Sequence, residues 1–326
     1  MMDLNGQRVF LAGGAGLAGS GAVRALLAAY PSIELVIPSR GGGAKVDDTR
    51  VTYVSGDLRE EKDCLALSRG CGLAVMAAAN TGGAQASRDA PWAQVTDNVV
   101  MDARMLQAFH DNGVRRVVYV STASAYAPFE GFIKEDDLDW NKDPHDTYLG
   151  VGWAKRYGEK LCEFWHKKAG MSCVCLRLAN VYGPFARFDP AVSNFIPAII
   201  RKAVDGMDPF EVWGSPDVTR DVVFADDFGE AVAAALAHDD IGFDVFNIGS
   251  GVKTTVGEVV NWAIEFSGHA PKEVRFGTSS PDTLAVRALD ISKARAKLGW
   301  SPRTSVRDGV RNTVEWWKEN RGTWRR

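Results

Sequence analysis

Three glycines spaced three residues apart, Gly13, Gly16 and Gly19, form a pattern that can hold a phosphate group. They stand where an apolar run, 8–12, ends and a helical pattern of apolar residues begins at Leu17. Glycine permits a tight turn and a close backbone approach, and the first N–H groups of a helix are free to bind pyrophosphate oxygens. This context predicts a dinucleotide-binding turn formed by Gly13, Gly16, Leu17 and Gly19.

The residues after the next apolar run indicate which dinucleotide binds. A carboxylate at this point hydrogen-bonds the adenosine ribose of NAD, whereas a cation accommodates the extra phosphate of NADP. The chain reads Ser39-Arg40 here, and no acidic residue follows before Asp47. NADP is therefore predicted rather than NAD, with Ser39 and Arg40 as phosphate contacts. The alternative is that Arg40 is a solvated loop residue.

Short apolar runs alternate with helical patterns through the first half of the chain, which is typical of a parallel sheet covered on both faces. The fold predicted is α/β, a Rossmann-type doubly wound parallel sheet with a smaller α/β C-terminal substrate lobe. After Gly183-Pro184 the sequence contains more Pro, Gly and Trp, and its apolar runs are short and interrupted. The Rossmann domain is therefore assigned to 1–179 and 222–251, and the second lobe to 180–221 and 252–326. The predicted strands are 8–12, 33–37, 51–54, 73–77, 117–120, 173–178 and 243–248.

Composition excludes several other classes of protein. The chain has 326 residues, with 38 Lys and Arg against 41 Asp and Glu, and a net charge of −3. This balance provides no general attraction to nucleic acid or to an anionic membrane. The apolar runs are too short to span a bilayer, and residues 1–8 lack a secretion signal pattern. Five scattered cysteines without CxxC pairs favour reduced thiols in the cytoplasm over disulfides or a metal site.

Besides the glycine turn, short motifs recur along nearly the whole chain, namely 56–58 (GDL), 77–79 (AAA), Asn98, 120–126 (VSTASAY), 177–184 (RLANVYGP), 220–227 (RDVVFADD), 247–251 (NIGSG) and 297–302 (KLGWSP). Together these motifs resemble those of the extended short-chain dehydrogenase/reductases that act on nucleotide-diphosphate sugars. The nearest pattern is that of GDP-fucose synthases, although Ala123 and Asn194 stand at the positions of the catalytic cysteine and histidine of that group.

The resemblance implies a role for each matching residue. Thr122 hydrogen-bonds the sugar at its reacting carbon, and Lys155 binds the nicotinamide ribose. The alternatives are a turn-capping hydroxyl for Thr122 and a solvated helix lysine for Lys155. The other implied coenzyme contacts are Asp57 and Leu58 at the adenine, Ala77, Ala78 and Ala79 beside the nicotinamide, and Asn98.

Substrate contacts are expected mainly in the second lobe. Arg220 resembles the arginine that binds the diphosphate, since guanidinium suits bidentate phosphate contact. Trp213 either stacks on the nucleotide base or packs in a core. The remaining candidates, each alternatively a surface hydrogen-bonding residue, are Thr81, Asn180, Arg187, Asn194 and Arg287.

One departure affects the chemistry directly. The family places its catalytic tyrosine four residues before the lysine, and that position is Val151, which cannot transfer a proton. Tyr148, seven residues before Lys155, is the best local substitute, and His145 is a weaker one. The open explanations are an engineered knock-out, a divergence with a relocated acid, or a chain that binds without turnover.

The resemblance therefore implies an NADP-dependent nucleotide-diphosphate-sugar epimerase or reductase that acts through a 4-keto sugar and hydride transfer. The alternatives are a catalytically impaired protein that binds NADP and nucleotide sugar, and a dehydratase with relocated acid and base groups. A homodimer is also implied, formed by the helices around 95–112 and 151–168, whose apolar faces are broad.

Overall fold

The computed structural model describes residues 1–39, 46–81, 91–189, 192–277 and 287–324. Helices and strands are numbered within these ranges. The strands are β1 (Arg8–Ala12), β2 (Glu34–Pro38), β3 (Val51–Val54), β4 (Leu73–Met76), β5 (Arg116–Thr122), β6 (Gly131–Ile133), β7 (Ser172–Leu178), β8 (Asn180–Tyr182), β9 (Phe210–Trp213), β10 (Thr219–Arg220), β11 (Val222–Phe224), β12 (Phe243–Ile248), β13 (Thr254–Thr255), β14 (Val274–Gly277) and β15 (Arg287–Leu289). The helices are α1 (Leu17–Ala29), α2 (Glu61–Leu67), α3 (Thr96–Asp111), α4 (Leu149–Ala169), α5 (Phe195–Val204), α6 (Ala225–Ala237), α7 (Val256–Ser267), α8 (Ser292–Leu298) and α9 (Val306–Asn320).

Seven strands form one parallel sheet in the order β12-β7-β5-β4-β1-β2-β3. All seven correspond to the strands predicted from apolar runs, with bounds that differ by two residues at most, and the predicted doubly wound Rossmann fold is confirmed. The chain leaves β1 toward β2 on one side and later returns to β4 on the other. This reversal opens a crevice at the carboxyl ends of β1 and β4, where such sheets bind ligands.

Helices cover both faces of the sheet because each contributes an apolar stripe. On one face, α1 packs against α6 so closely that a Cβ at Gly21 would lie 2.0 Å from the carbonyl oxygen of Ala225. On the other face, α3 and α4 contribute Met105, Phe109 and Cys162 to a buried cluster. The strands are therefore shielded on both sides, which explains why β4 is buried at all four positions.

A separate buried cluster lies mainly in the segments assigned to the second lobe. It combines apolar residues of α5, α7 and α9, and the rings of Phe188 and Trp317 stack with centroids 4.0 Å apart. The segment 287–300 does not pack in this cluster. Its strand β15 pairs with β6, and its residues Leu289 and Trp300 lie in the core beside the main sheet. The polypeptide 252–326 thus contributes to both cores.

All five cysteines are buried and unpaired, as predicted. No helix in the described ranges has the length and apolar character needed to cross a membrane.

Candidate active site

The glycine turn between β1 and α1 lies directly against the end of β4. Gly13 has φ +85°, and a Cβ there would lie 2.6 Å from the backbone of Ala77 and Ala78. A Cβ at Gly19 would lie 2.1 Å from the carbonyl oxygen of Gly13. Gly16 provides no side-chain cap for α1, and the first turn of that helix carries no acidic residue. Its free N–H groups and positive dipole end therefore fit a pyrophosphate.

Asn98 stabilises the segment that follows β4. Its side-chain oxygen accepts a hydrogen bond from the backbone N–H of Asn80 at 2.7 Å. Its amide nitrogen donates to the carbonyl oxygens of Asn80 at 3.0 Å and Gln94 at 2.6 Å. In the structure the side chain of Asn98 therefore binds backbone groups. These hydrogen bonds hold the backbone at Asn80, directly after the alanine run 77–79.

Four residues are predicted to contact the adenosine end of the coenzyme, namely Ser39, Arg40, Asp57 and Leu58. Arg40 lies outside the described residues, and the backbone N–H of Ser39 donates to the carbonyl oxygen of Val54 at 2.8 Å. The carboxylate of Asp57 pairs with Arg59 at 2.6 Å, while Leu58 is buried. The carboxylate of Asp57, which was predicted to contact the adenine, thus forms an ion pair with the side chain of Arg59.

Thr122 ends β5 and begins a short 3-10 turn. Its Oγ1 accepts a hydrogen bond from the backbone N–H of Ser124 at 3.1 Å, so the turn-capping alternative holds. Thr122 also lines a cleft together with Asn180 and Asp221, so capping and substrate contact are compatible. The turn is rigidly supported, because Arg156 donates through Nε to the carbonyl oxygen of Ala125 at 2.7 Å.

Lys155 is buried, and the solvated-lysine alternative is therefore wrong. Its Nζ lies 3.5 Å from Oδ2 of Asp102 and 4.5 Å from the ring centroid of Tyr119. Val151 lies one helical turn earlier on α4 and is half-buried. The neighbouring Gly152 lets the helix approach the 3-10 turn that follows Thr122, since a Cβ there would lie 2.7 Å from the carbonyl oxygen of Ser124.

Tyr148 stands outside α4, which begins at Leu149. Spacing by seven brings Tyr148 to the face of Lys155 only if the α-helix starts early enough to include it, and in the structure Tyr148 belongs to a short 3-10 helix that directly precedes α4. Burial lowers the pKa of the Arg220 guanidinium, and Tyr148 opposes that shift.

The other residues predicted to contact the substrate lie in several separate places. Asn180 donates to the carbonyl oxygen of Asp221 at 3.2 Å, and Arg187 donates to that of Thr81 at 3.2 Å. Asn194 is exposed at the start of α5, and Arg287 begins β15. Trp213 is 67% exposed, which excludes the core-packing alternative.

Residues 9–249 match the model of the NAD dependent epimerase/dehydratase family. The chain belongs to this family. The GDP-L-fucose synthase of Sinorhizobium fredii is 29% identical over 321 residues, 97% of this chain and 96% of the relative. The GDP-mannose 3,5-epimerase of Arabidopsis thaliana is 30% identical over 269 residues, 81% of this chain and 69% of the relative.

A solved structure supports the same assignment. The dTDP-glucose 4,6-dehydratase from Streptomyces venezuelae, with NAD bound, superposes with a TM-score of 0.85 at 28% identity. The match covers 98% of this chain and 99% of that one. The predicted resemblance to the nucleotide-sugar enzymes of the epimerase/dehydratase family is therefore confirmed.

Asp221 also lines the cleft beside Thr122, and it was not singled out from the sequence. Its Oδ1 accepts from the backbone and hydroxyl of Ser250 at 2.8 Å, and its Oδ2 accepts from the backbone of Leu289 at 2.9 Å. Burial nevertheless raises the pKa of this carboxyl to about 6. Asp221 follows Arg220 directly, and an acidic residue beside a predicted phosphate-binding arginine was the available signal.

The raised pKa of Asp221 predicts a pH-dependent stability. The folded protein binds this proton more tightly than the unfolded chain, so the contribution of Asp221 to stability is lost as pH rises through about 6. We expect the free energy of unfolding, relative to that of Asp221→Asn, to fall by about 2 kcal/mol between roughly pH 4.5 and 7. Urea titrations of both proteins across this range measure the difference, and parallel curves would contradict the prediction.

Proposed function

We propose that this chain binds NADP and a nucleotide-diphosphate sugar and acts as an epimerase or reductase through a 4-keto sugar. The observation that carries the proposal is the meeting of two features at the carboxyl edge of one sheet. The glycine turn touches the backbone of Ala77 and Ala78, and Thr122 at the end of β5 lines a cleft with Asn180. A coenzyme on the first feature and a sugar in the second lie side by side.

The residues of this chain divide the work. The bound coenzyme supplies reversible hydride transfer with a sugar carbon. Thr122 hydrogen-bonds the sugar oxygen, Arg220 binds the diphosphate, and Lys155 orients the nicotinamide ribose. Arg220 is suited to this role because it is half-buried, it directly precedes the cleft-lining Asp221, and a guanidinium can hold phosphate oxygens in a fixed geometry. Orientation of the two reactants is the main contribution of the protein.

NADP is proposed over NAD because no acidic residue stands directly after β2. The strand ends at Pro38, and the next residues are Ser39 and Arg40. We expect NADPH to bind more tightly than NADH, and Arg40→Ala to weaken NADPH binding without a matching loss for NADH. Isothermal titration calorimetry with both coenzymes tests this, and an equal loss for the two would contradict the choice of NADP.

A second candidate function is supported by Val151. A positioned general acid or base typically contributes about 10²–10⁴-fold to a rate, and valine supplies none. The second candidate function is therefore a protein that binds coenzyme and nucleotide sugar with little or no turnover. Tyr148 is the proposed replacement acid in the active alternative, because it lies directly before α4 and seven residues before Lys155.

One experiment separates these functions. Purified protein is mixed with NADPH and a panel of 4-keto nucleotide sugars while reduced-coenzyme absorbance and product masses are followed. Coenzyme oxidation supports a reductase, an isomeric product supports an epimerase, and loss of water supports a dehydratase. Saturable binding without any of these supports the non-catalytic protein, and Tyr148→Phe then tests whether activity, where found, depends on that phenol.

A homodimer through α3 and α4 is the proposed assembly. Within the described residues, α4 exposes a stripe of large apolar side chains, and Val100 is exposed on α3, which packs against α4. Contiguous exposed apolar surface of this kind marks protein interfaces. The α4 stripe consists of Leu149, Trp153, Tyr157 and Phe164.

The stripe predicts the effect of one substitution. Phe164 is 49% exposed on α4, and Phe164→Glu places a charge in the proposed interface. We expect the variant to be monomeric in analytical ultracentrifugation, while the unsubstituted protein sediments as a dimer. Phe132→Glu is the matched control, because Phe132 is 56% exposed on β6 and lies outside the two helices. Dissociation by both variants, or by neither, would contradict this interface.

A further inference from the structure

A buried cluster of three polar side chains lies beside the candidate active site. It contains Asp102 on α3, Tyr119 on β5 and Lys155 on α4. Oδ2 of Asp102 accepts a hydrogen bond from the Tyr119 hydroxyl at 2.6 Å and lies 3.5 Å from Nζ of Lys155. The side chains of Asp102 and Lys155 are 3% and 9% exposed. The Tyr119 hydroxyl and the Lys155 ammonium therefore both face the same carboxylate oxygen of Asp102, shielded from bulk water.

The local sequence accommodates this cluster. Gly158 lies on α4 opposite Tyr119, and a Cβ there would lie 2.0 Å from the phenol oxygen. Burial and the neighbouring carboxylate of Asp102 raise the pKa of Tyr119 well above its usual range. Tyr119 is therefore a permanent hydrogen-bond donor to Asp102 at neutral pH, and it holds the carboxylate toward α4.

Three observations show that the ion pair of Lys155 and Asp102 retains hydrogen-bonding capacity. A separation of 3.5 Å is longer than the roughly 2.7–2.9 Å typical of a direct ammonium–carboxylate hydrogen bond. The ammonium has three donors, and Asp102 is the acceptor found for it among the described residues. Oδ1 of Asp102 is buried and has no hydrogen-bond partner in that part of the chain. The lysine is therefore held in place with donors left for a further acceptor.

We infer that Asp102 is a positioning residue that holds the ammonium of Lys155 for the ribose hydroxyls of the coenzyme. This inference rests on the proposed coenzyme binding. Charge makes the contact specific, because a buried ammonium without a counter-charge is strongly unfavourable. Val151, one turn before Lys155, supplies no hydroxyl that could share the task. Asp102 thus links α3 to the proposed coenzyme site.

A double-mutant cycle in coenzyme affinity tests the inference. Calorimetry measures the Kd of NADPH for the unsubstituted protein, Asp102→Asn, Lys155→Met and the double variant. We expect Asp102→Asn to raise Kd by about tenfold or more when Lys155 is present, and to have almost no effect when Lys155 is replaced by methionine. Equal weakening in both backgrounds would assign Asp102 a purely structural role and overturn the inference.

Two controls keep the outcomes distinct. Asp111→Asn removes the same charge from the exposed end of α3 and is expected to leave Kd unchanged. Tyr119→Phe keeps the ring and the carboxylate but removes the hydroxyl donor, so we expect a smaller increase in Kd that also vanishes in the methionine background. Failure of the unsubstituted protein to bind either coenzyme would refute the proposed function before any variant is compared.

Discussion

Gly13→Ala is expected to lower coenzyme affinity by at least about 100-fold, equivalent to roughly 2.7 kcal/mol. Two physical effects add up at this position. The residue has φ +85°, a conformation that is unfavourable for a residue with a Cβ. The added Cβ also lies 2.6 Å from the backbone of Ala77 and Ala78, so the turn must move away from the end of β4. Calorimetry with NADPH and NADH measures the loss.

Gly6 provides a matched control for this substitution. It has φ +69°, and nothing lies within 4 Å of the Cβ that alanine would add. Gly6→Ala therefore introduces similar backbone strain without the collision, and we expect coenzyme binding to stay within a few fold of the unsubstituted protein. Circular dichroism and thermal melts verify that both variants are folded. Coenzyme binding by a folded Gly13→Ala protein at nearly normal affinity would contradict the assignment of this turn.

Val151→Tyr is expected to raise turnover of the correct 4-keto nucleotide sugar by about 10²–10⁴-fold, the usual contribution of a positioned acid or base. Val151 lies one helical turn before Lys155, on the part of α4 that approaches Ser124. A phenol has an ordinary pKa of about 10, and a nearby ammonium favours its ionised form. Initial rates at saturating coenzyme, measured over a range of pH, report kcat and KM separately.

Val151→Phe separates chemistry from packing in this test. It adds nearly the same ring without a hydroxyl, so we expect no gain in kcat. A gain shared by the tyrosine and phenylalanine variants would show that shape, not proton transfer, limits the reaction. An unchanged kcat in Val151→Tyr would support either a relocated acid, which Tyr148→Phe tests, or the non-catalytic function.

Sequence patterns predicted the sheet well because burial constrains strands locally. A strand shielded on both faces must be apolar at nearly every position, as Leu73–Met76 is, and such runs are visible without knowledge of the fold. The glycine turn is local for a similar reason, since three glycines within seven residues form it. The start of α4 was harder to predict. The apolar spacing indicates a helix around 151–168, and the structure begins it at Leu149, directly after the 3-10 helix that contains Tyr148.

The amino-acid sequence by itself determined the fold class, the glycine turn, and the absence of a phenol four residues before Lys155. Only the tertiary structure decided which distant side chains meet. Asp102 and Lys155 are 53 residues apart, and Asp221 reaches Leu289 across 68. No local periodicity encodes such contacts, because they depend on how helices and strands pack. The partner of a buried charge is set by that packing, since a charge removed from water requires a counter-charge or donor nearby.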